Sequence, residues 1–169
     1  MGVQFQEAAL HDKITVRDAL TLFASFYDNP ADVDELLSVL DLHDKRDAQF
    51  RSLSGGQKQR VSIALALVGN PKVAILDELT TGLDPQARRT TWEVVRRVRD
   101  MGATVLLVTH FMEEAERLCD RLIIIDRGQI LAEGSPQDLI NSVDGARSLE
   151  DVFVAITPKA AAVSTIRGA

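Results

Sequence analysis

The run Leu53-Ser54-Gly55-Gly56-Gln57-Lys58-Gln59-Arg60-Val61 leads through Val68 and Pro71 into Val73-Ala74-Ile75-Leu76-Asp77-Glu78. Ser54 can cap a helix, and Gln57, three residues on, can bond back to it in the S-x-x-Q form of a capping box. A helix is therefore predicted from Ser54 onward. Its interior, Val61-Ser62-Ile63-Ala64-Leu65-Ala66-Leu67-Val68, is apolar nearly all round, which implies burial, and Gly69-Asn70-Pro71 ends it. Gly55 and Gly56 in the first turn each forgo roughly 0.5 to 1 kcal/mol relative to alanine, so something must require them. Bare N–H groups at the positive end of a helix suit a phosphate. After Pro71, Val73 to Leu76 reads as a parallel strand buried on both faces, ending in the carboxylates Asp77 and Glu78. Either element alone has an ordinary reading, as a capped helix or as a strand with solvent-facing acids. Their pairing at this spacing is far more specific.

Composition bounds what surrounds this segment. A chain of 169 residues that is 46% hydrophobic is long enough for one domain with a sizeable core. A formal net charge of −6 argues against nonspecific nucleic-acid binding. Arg88, Arg89, Arg96, Arg97 and Arg99 do crowd one predicted helix, and they read as its solvated face. The single cysteine, Cys119, excludes an internal disulfide and fits a reducing compartment. No apolar run approaches the ~20 residues of a spanning helix, so membrane contact is expected through a partner.

Upstream, Met1 to Glu7 alternates like a strand running into a loop. Thr15 opens a helix with Val16, Ala19, Leu20, Phe23, Ala24 and Tyr27 at helical spacing, and Asp28-Asn29-Pro30 ends it. A second amphipathic helix carries Val33, Leu36, Leu37 and Leu40, so residues 15–68 form a helical segment. Downstream the pattern alternates between strand and helix: Val73 to Asp77, Gln86 to Met101, Ala103 to Thr109, Met112 to Cys119, Leu122 to Asp126. Such alternation predicts a parallel α/β sheet, whose carboxyl edge receives His110 along with Asp77 and Glu78. Arg127-Gly128-Gln129 reads as a tight turn into Ile130 to Gly134, and helices follow from Ser135-Pro136 and over Leu149 to Ala155.

With these residues in view, LSGGQ resembles the signature motif of ATP-binding cassette (ABC) ATPases, and VAILDE resembles their Walker B strand. Thr81-Gly82-Leu83-Asp84 is similar to the D-loop, His110 to the H-loop and Gln6-Glu7 to the Q-loop. The wider run from Ile14 to about Pro158 is similar to ATPase subunits of the exporter branch, which includes antibiotic and multidrug efflux cassettes. The resemblance implies a P-loop NTPase-like parallel sheet with an inserted helical subdomain. Residues 1–158 would be a partial ABC ATPase domain, with 8–70 the helical signature subdomain, 71–134 the α/β core and 159–169 a flexible tail. It also implies ATP and Mg²⁺. Glu78 would orient or deprotonate the attacking water, and His110 would contact the γ-phosphate. Asp77 would hold Mg²⁺ through its water shell, and Gln6 would touch the same region. Ser54, Gly55, Gly56, Gln57 and Asp84 would face nucleotide. The implied partners are a second ATPase subunit, closing head-to-tail, and a transmembrane permease, with no nucleic acid. The implied location is cytoplasmic, peripheral on the inner face of the cell membrane through the permease.

Two departures qualify the resemblance. No G-x-x-x-x-G-K-[ST] occurs, so the backbone cradle and lysine that hold the β- and γ-phosphates are absent from this sequence. The expectation is therefore an incomplete domain, with its N-terminal strands and P-loop missing through truncation, a split gene or a cut. The competing expectation is a catalytically inactive fragment that docks on a complete subunit. The smaller departure is Leu79, where the family commonly has proline; its loss removes a rigid turn residue but no ligand.

Overall fold

Strand β2 (Val73–Asp77) is the middle of a parallel sheet, with β1 (Gly2–Gln4) on one side and β3 (Thr104–Val108) on the other. The computed structural model describes residues 1–4 and 10–157. The register sets Gln4 beside Leu76, and Asp77 beside Val108. Ala74 and Leu76 are fully buried on one face of β2, while Val73 and Ile75 on the other are partly buried, so the strand expected to be covered on both faces is fully covered on one.

The helices before β2 follow their capping residues. Helix α1 (Val16–Ala24) starts where the Thr15 hydroxyl accepts from the Asp18 N–H at 3.1 Å. Helix α2 (Val33–Val39) starts where Asp32 accepts from the Glu35 N–H at 2.8 Å. Two short 3₁₀ turns, His43–Lys45 and Phe50–Ser52, then lead to α3 (Gly55–Leu67). Helix α1 stops short of Tyr27, which its apolar spacing had included. The Ser25 hydroxyl bonds the Leu22 carbonyl at 2.6 Å, and Phe26 and Tyr27 form a turn whose N–H groups bond Phe23 and Ala24. Tyr27 instead lays its ring on Gly69, where any Cβ would come within 2.6 Å of it.

Helix α3 is buried on most sides, as its all-round apolar sequence predicts, with Val61, Ile63, Ala64 and Val68 fully covered. Strand β1 lies against it closely enough that a Cβ on Gly2 would collide with the Ala66 carbonyl. Helix α4 (Pro85–Asp100) follows β2 and buries Trp92, Val94, Val95 and Val98. Its arginines are not all a solvated face. Arg97 donates to the Val39 carbonyl and to Asp41, both at 2.9 Å, and so ties α4 to the end of α2.

The described chain divides into two compact units, separated between His110 and Phe111. The second unit contains α5 (Met112–Leu118), β4 (Leu122–Asp126), β5 (Gln129–Gly134), α6 (Pro136–Ser142) and α7 (Leu149–Ile156). Here one expectation is corrected: β4 does not pair in the parallel sheet but forms an antiparallel hairpin with β5. The cause is local. Arg127 and Gly128 both take positive φ, 48° and 77°, and two successive left-handed residues close a tight hairpin whose twist matches its strands. The segment 71–134 thus contributes to both units. Ala115, Ile124, Leu139, Ile140, Leu149 and Val152 form the core of the second unit. The expected tail, 159–169, lies outside the described residues.

Strand β3 is an edge strand among the described residues, and Leu106 and Val108 are 54% and 48% exposed. An apolar edge of this kind is a template for unwanted pairing. Leu106→Lys combined with Val108→Lys is expected to raise the monomeric fraction in size-exclusion chromatography with light scattering. An unchanged or larger aggregate would contradict this account of β3.

Candidate active site

Asp77, Glu78 and His110 lie at the carboxyl edge of the parallel sheet, where the side chains of Glu78 and His110 are in contact. The backbone N–H of Asp77 donates to the Gln4 Oε1 at 3.0 Å, and Gln4 itself is buried. A buried amide on β1 thereby fixes the last residue of β2. The next residue, Glu78, leaves the strand with φ 47°, a left-handed conformation that costs a non-glycine residue about 1–2 kcal/mol. It is held there by its N–H, which donates to the Val108 carbonyl at 2.9 Å, and by burial of the following Leu79 and Thr80. Leu79, at the position where a proline was expected from the resemblance, is buried.

The result aims the Glu78 carboxylate outward from the sheet edge. Its Oε1 lies 3.3 Å from the His110 Nδ1, and its Oε2 accepts from the Thr81 hydroxyl at 3.4 Å. With side-chain exposures of 53% for His110 and 30% for Glu78, the pair contributes less than about 1 kcal/mol to stability. Its consequence is geometric: a carboxylate and an imidazole face the same point at the edge, the arrangement that orienting or deprotonating a water requires. Asp77 and Glu78 also suit Mg²⁺, which is typically bound by one or two carboxylates together with waters and substrate phosphates. Among the described residues no cluster of three or more metal-ligating side chains exists, so this is not an all-protein metal cage.

The second half of the site is the start of α3. Both bonds of the capping box form: the Ser54 hydroxyl accepts from the Gln57 N–H at 3.3 Å, and the Gln57 Oε1 accepts from the Ser54 N–H at 2.9 Å. The two glycines differ. Gly55 is exposed, and a Cβ there would make only ordinary contact with Leu83, at 3.7 Å. Gly56 is buried, and a Cβ there would lie 3.2 Å from that of Ala87 in the first turn of α4. Close helix packing therefore gives Gly56 a structural reason to be glycine. Gly55 keeps the bare, accessible backbone that an anion needs. Asp84 caps α4 by accepting from the Gln86 and Ala87 N–H groups, both at 2.9 Å. The segment from Leu83 to Ala87 is thus brought directly against the glycines of α3.

Sequence reasoning missed Gln4, which could have been flagged as the one polar side chain in a short strand of otherwise apolar or glycine positions; Thr81 was read only as the start of the D-loop-like stretch, and its bond to Glu78 was not foreseen. Gln6 lies outside the described residues.

The fold is similar to that of an ATP-binding subunit of an ABC transporter. A solved chain described as "Structure of ATP binding subunit of ABC transporter" matches with a TM-score of 0.75 and 28% identity, covering 93% of this chain and 68% of the other. Residues 1–81 match the ABC transporter family model. The "Nod factor export ATP-binding protein I" of Burkholderia thailandensis is 48% identical over 155 residues, covering 89% of this chain and 51% of the relative. The protein of the same name from Rhizobium etli is 42% identical, covering 89% of this chain and 49% of the relative. The chain is thus similar to ABC transporter ATP-binding proteins along most of its length. It spans about half the length of the curated relatives it matches.

The packing difference between the glycines is testable. Gly56→Val should lower stability by about 1–3 kcal/mol, through overpacking against Ala87. Gly55→Ala should leave thermal unfolding within about 0.5 kcal/mol of the parent. Equal effects of the two substitutions would remove the distinction.

Proposed function

We propose that the chain is the distal part of an ATP-hydrolysing subunit of an ABC-type exporter, contributing the signature, Walker B, D-loop and H-loop elements. The observation that carries this reading is the convergence of Glu78 and His110, 3.3 Å apart, at the carboxyl edge of the sheet whose central strand ends in Asp77. Export is supported by the names of the relatives, which are Nod factor export proteins. In this reading Glu78, held between His110 and Thr81, orients the attacking water and receives its proton. His110 steadies that carboxylate and contacts the terminal phosphate. Asp77 holds Mg²⁺ through water, with Gln6 assigned to the same region. When bound, the ion neutralises charge developing on the phosphate oxygens.

The N-terminal turn of α3, from Ser54 to Gln57, faces the nucleotide held by a second ATPase subunit in a head-to-tail pair, and Asp84 lies at the same junction. A permease supplies the membrane contact, since no helix among the described residues is long and apolar enough to cross a bilayer. The protein works on the cytoplasmic face. The lack of a G-x-x-x-x-G-K-[ST] motif in this sequence keeps a second reading in view, an inactive fragment that docks on a complete subunit.

Phosphoryl transfer depends mostly on positioning, so the chain alone is expected to show no ATP turnover. Joined to or co-expressed with a P-loop-bearing segment of an ABC ATPase, it should gain turnover. Glu78→Gln in that assembly should abolish it while nucleotide binding persists, because the amide keeps the shape but accepts no proton. Near-normal turnover of the Glu78→Gln assembly would overturn the role of Glu78. Failure of any P-loop segment to confer turnover would favour the docking fragment.

A further inference from the structure

The amino end of the parallel sheet, opposite the edge that carries Asp77, Glu78 and His110, holds a cavity of about 280 Å³ that the ATPase reading does not use. This is just below the ~300–1,000 Å³ of pockets for drug-sized ligands, so it suits a smaller molecule. Its floor is apolar: Leu36 of α2, Leu67 of α3 and Val98 of α4 line it and are buried. Pro71 and Ala103 wall it, and Met101 lines it with 47% of its own surface still exposed.

The backbone around the cavity is pinned. The Ala31 N–H bonds the Val68 carbonyl and the Asn70 N–H the Leu67 carbonyl, both at 2.8 Å. The Gly102 N–H bonds the Arg99 carbonyl and the Thr104 N–H the Lys72 carbonyl, both at 2.9 Å. These bonds tie the segment before α2, the ends of α3 and α4, and the starts of β2 and β3 to one another. The cavity is therefore formed before anything enters it, and filling it orders little further backbone.

The lining also specifies a head group. Lys72 is the one charged residue that lines the cavity, and its ammonium makes no hydrogen bond or ion pair among the described residues. The Asn70 side-chain amide, which lines it as well, is likewise without a partner among them. No carboxylate lines the cavity, although Asp32, Glu35 and Asp100 adjoin lining residues in sequence. Asp32 caps α2 by accepting from the Glu35 N–H at 2.8 Å, and Asp100 stands 3.9 Å from Arg99. An ammonium and an amide donor at the rim of an apolar floor suit an anionic head on an apolar tail. One cation balances one negative charge, which favours a carboxylate over a phosphate ester carrying about −1.5 to −2.

We propose that this cavity binds a small aliphatic carboxylic acid of about the size of octanoate. Its tail lies on Leu36, Leu67 and Val98, and its carboxylate is held by the Lys72 ammonium and the Asn70 amide. The site stands independently of the phosphoryl chemistry at the other end of β2.

The test is titration of the full nitrogen-labelled chain with octanoate, octanol, octylamine and inorganic phosphate, followed by the amide shifts. Octanoate should bind saturably, with the largest shifts at Asn70, Lys72, Gly102 and Ala103. Octanol should bind about tenfold or more weakly, and octylamine and phosphate should not bind there. Lys72→Met should weaken octanoate by about tenfold or more, as loss of a charged hydrogen bond does, and leave octanol unchanged. Ala103→Leu, which adds bulk to the wall, should weaken both. Absence of saturable octanoate binding, or equal octanoate affinity in the parent and Lys72→Met, overturns the proposal. So does phosphate binding as tightly as octanoate, which would leave an anion site only, and so do shifts centred on the exposed Leu106 and Val108, which would mean adsorption to β3. Circular dichroism checks the fold of each variant. If Ala103→Leu does not fold, Lys72→Met, a change at an exposed side chain, decides alone.

Discussion

Helix α3 is apolar on nearly every side, so it exists only where other elements cover it, and the first unit is the arrangement that does so. Strand β1 approaches its carboxyl half through Gly2, and the first turn of α4 approaches its amino end through Gly56. Both contacts are possible because one partner has no Cβ. Seven of the thirteen residues of α3 are buried, which makes its position a matter of packing with little left to local propensity. Once α3 is fixed, the capped turn from Ser54 to Gln57 is fixed with it, and Leu83 to Ala87 are held against that turn. A helix start that could bind an anion therefore occupies a defined place beside the loop that follows the paired acids.

The carboxyl edge of the sheet depends on a second, smaller constraint. Glu78 must leave β2 in a left-handed conformation, and three groups hold it there: the Val108 carbonyl, the buried Leu79 and, one residue earlier, the Gln4 amide on Asp77. The conformational cost is about 1–2 kcal/mol, comparable to one or two hydrogen bonds, so the site depends on those neighbours being in place. Strain of this kind points the carboxylate at a defined spot at the sheet edge. His110 can meet Glu78 because β3 runs parallel to β2 in a register that sets Val108 beside Asp77.

Much of this was legible in the sequence. The capping box at Ser54 and Gln57, the buried character of α3, the apolar central strand with its two acids, and the arrival of His110 at the same edge all follow from local chemistry and periodicity. Those signals are local because caps, strand ends and helical faces are set by residues within a few positions of one another. The end of α1 was misread for the converse reason. Tyr27 has the spacing of a helix face but belongs to a ring-on-glycine contact with Gly69, far along the chain.

What the sequence by itself determined is the set of elements and the chemistry at their ends: a capped glycine-bearing helix, a carboxylate-tipped strand and a histidine after the next strand. Only the tertiary structure decided which glycine is free and which is packed, and that a buried glutamine anchors Asp77. Arg97 likewise looks like one of five similar surface cations until its contacts with Val39 and Asp41 are seen. The physical reason is common to all three. Each outcome depends on where distant atoms come to lie, and no spacing within a segment encodes that distance.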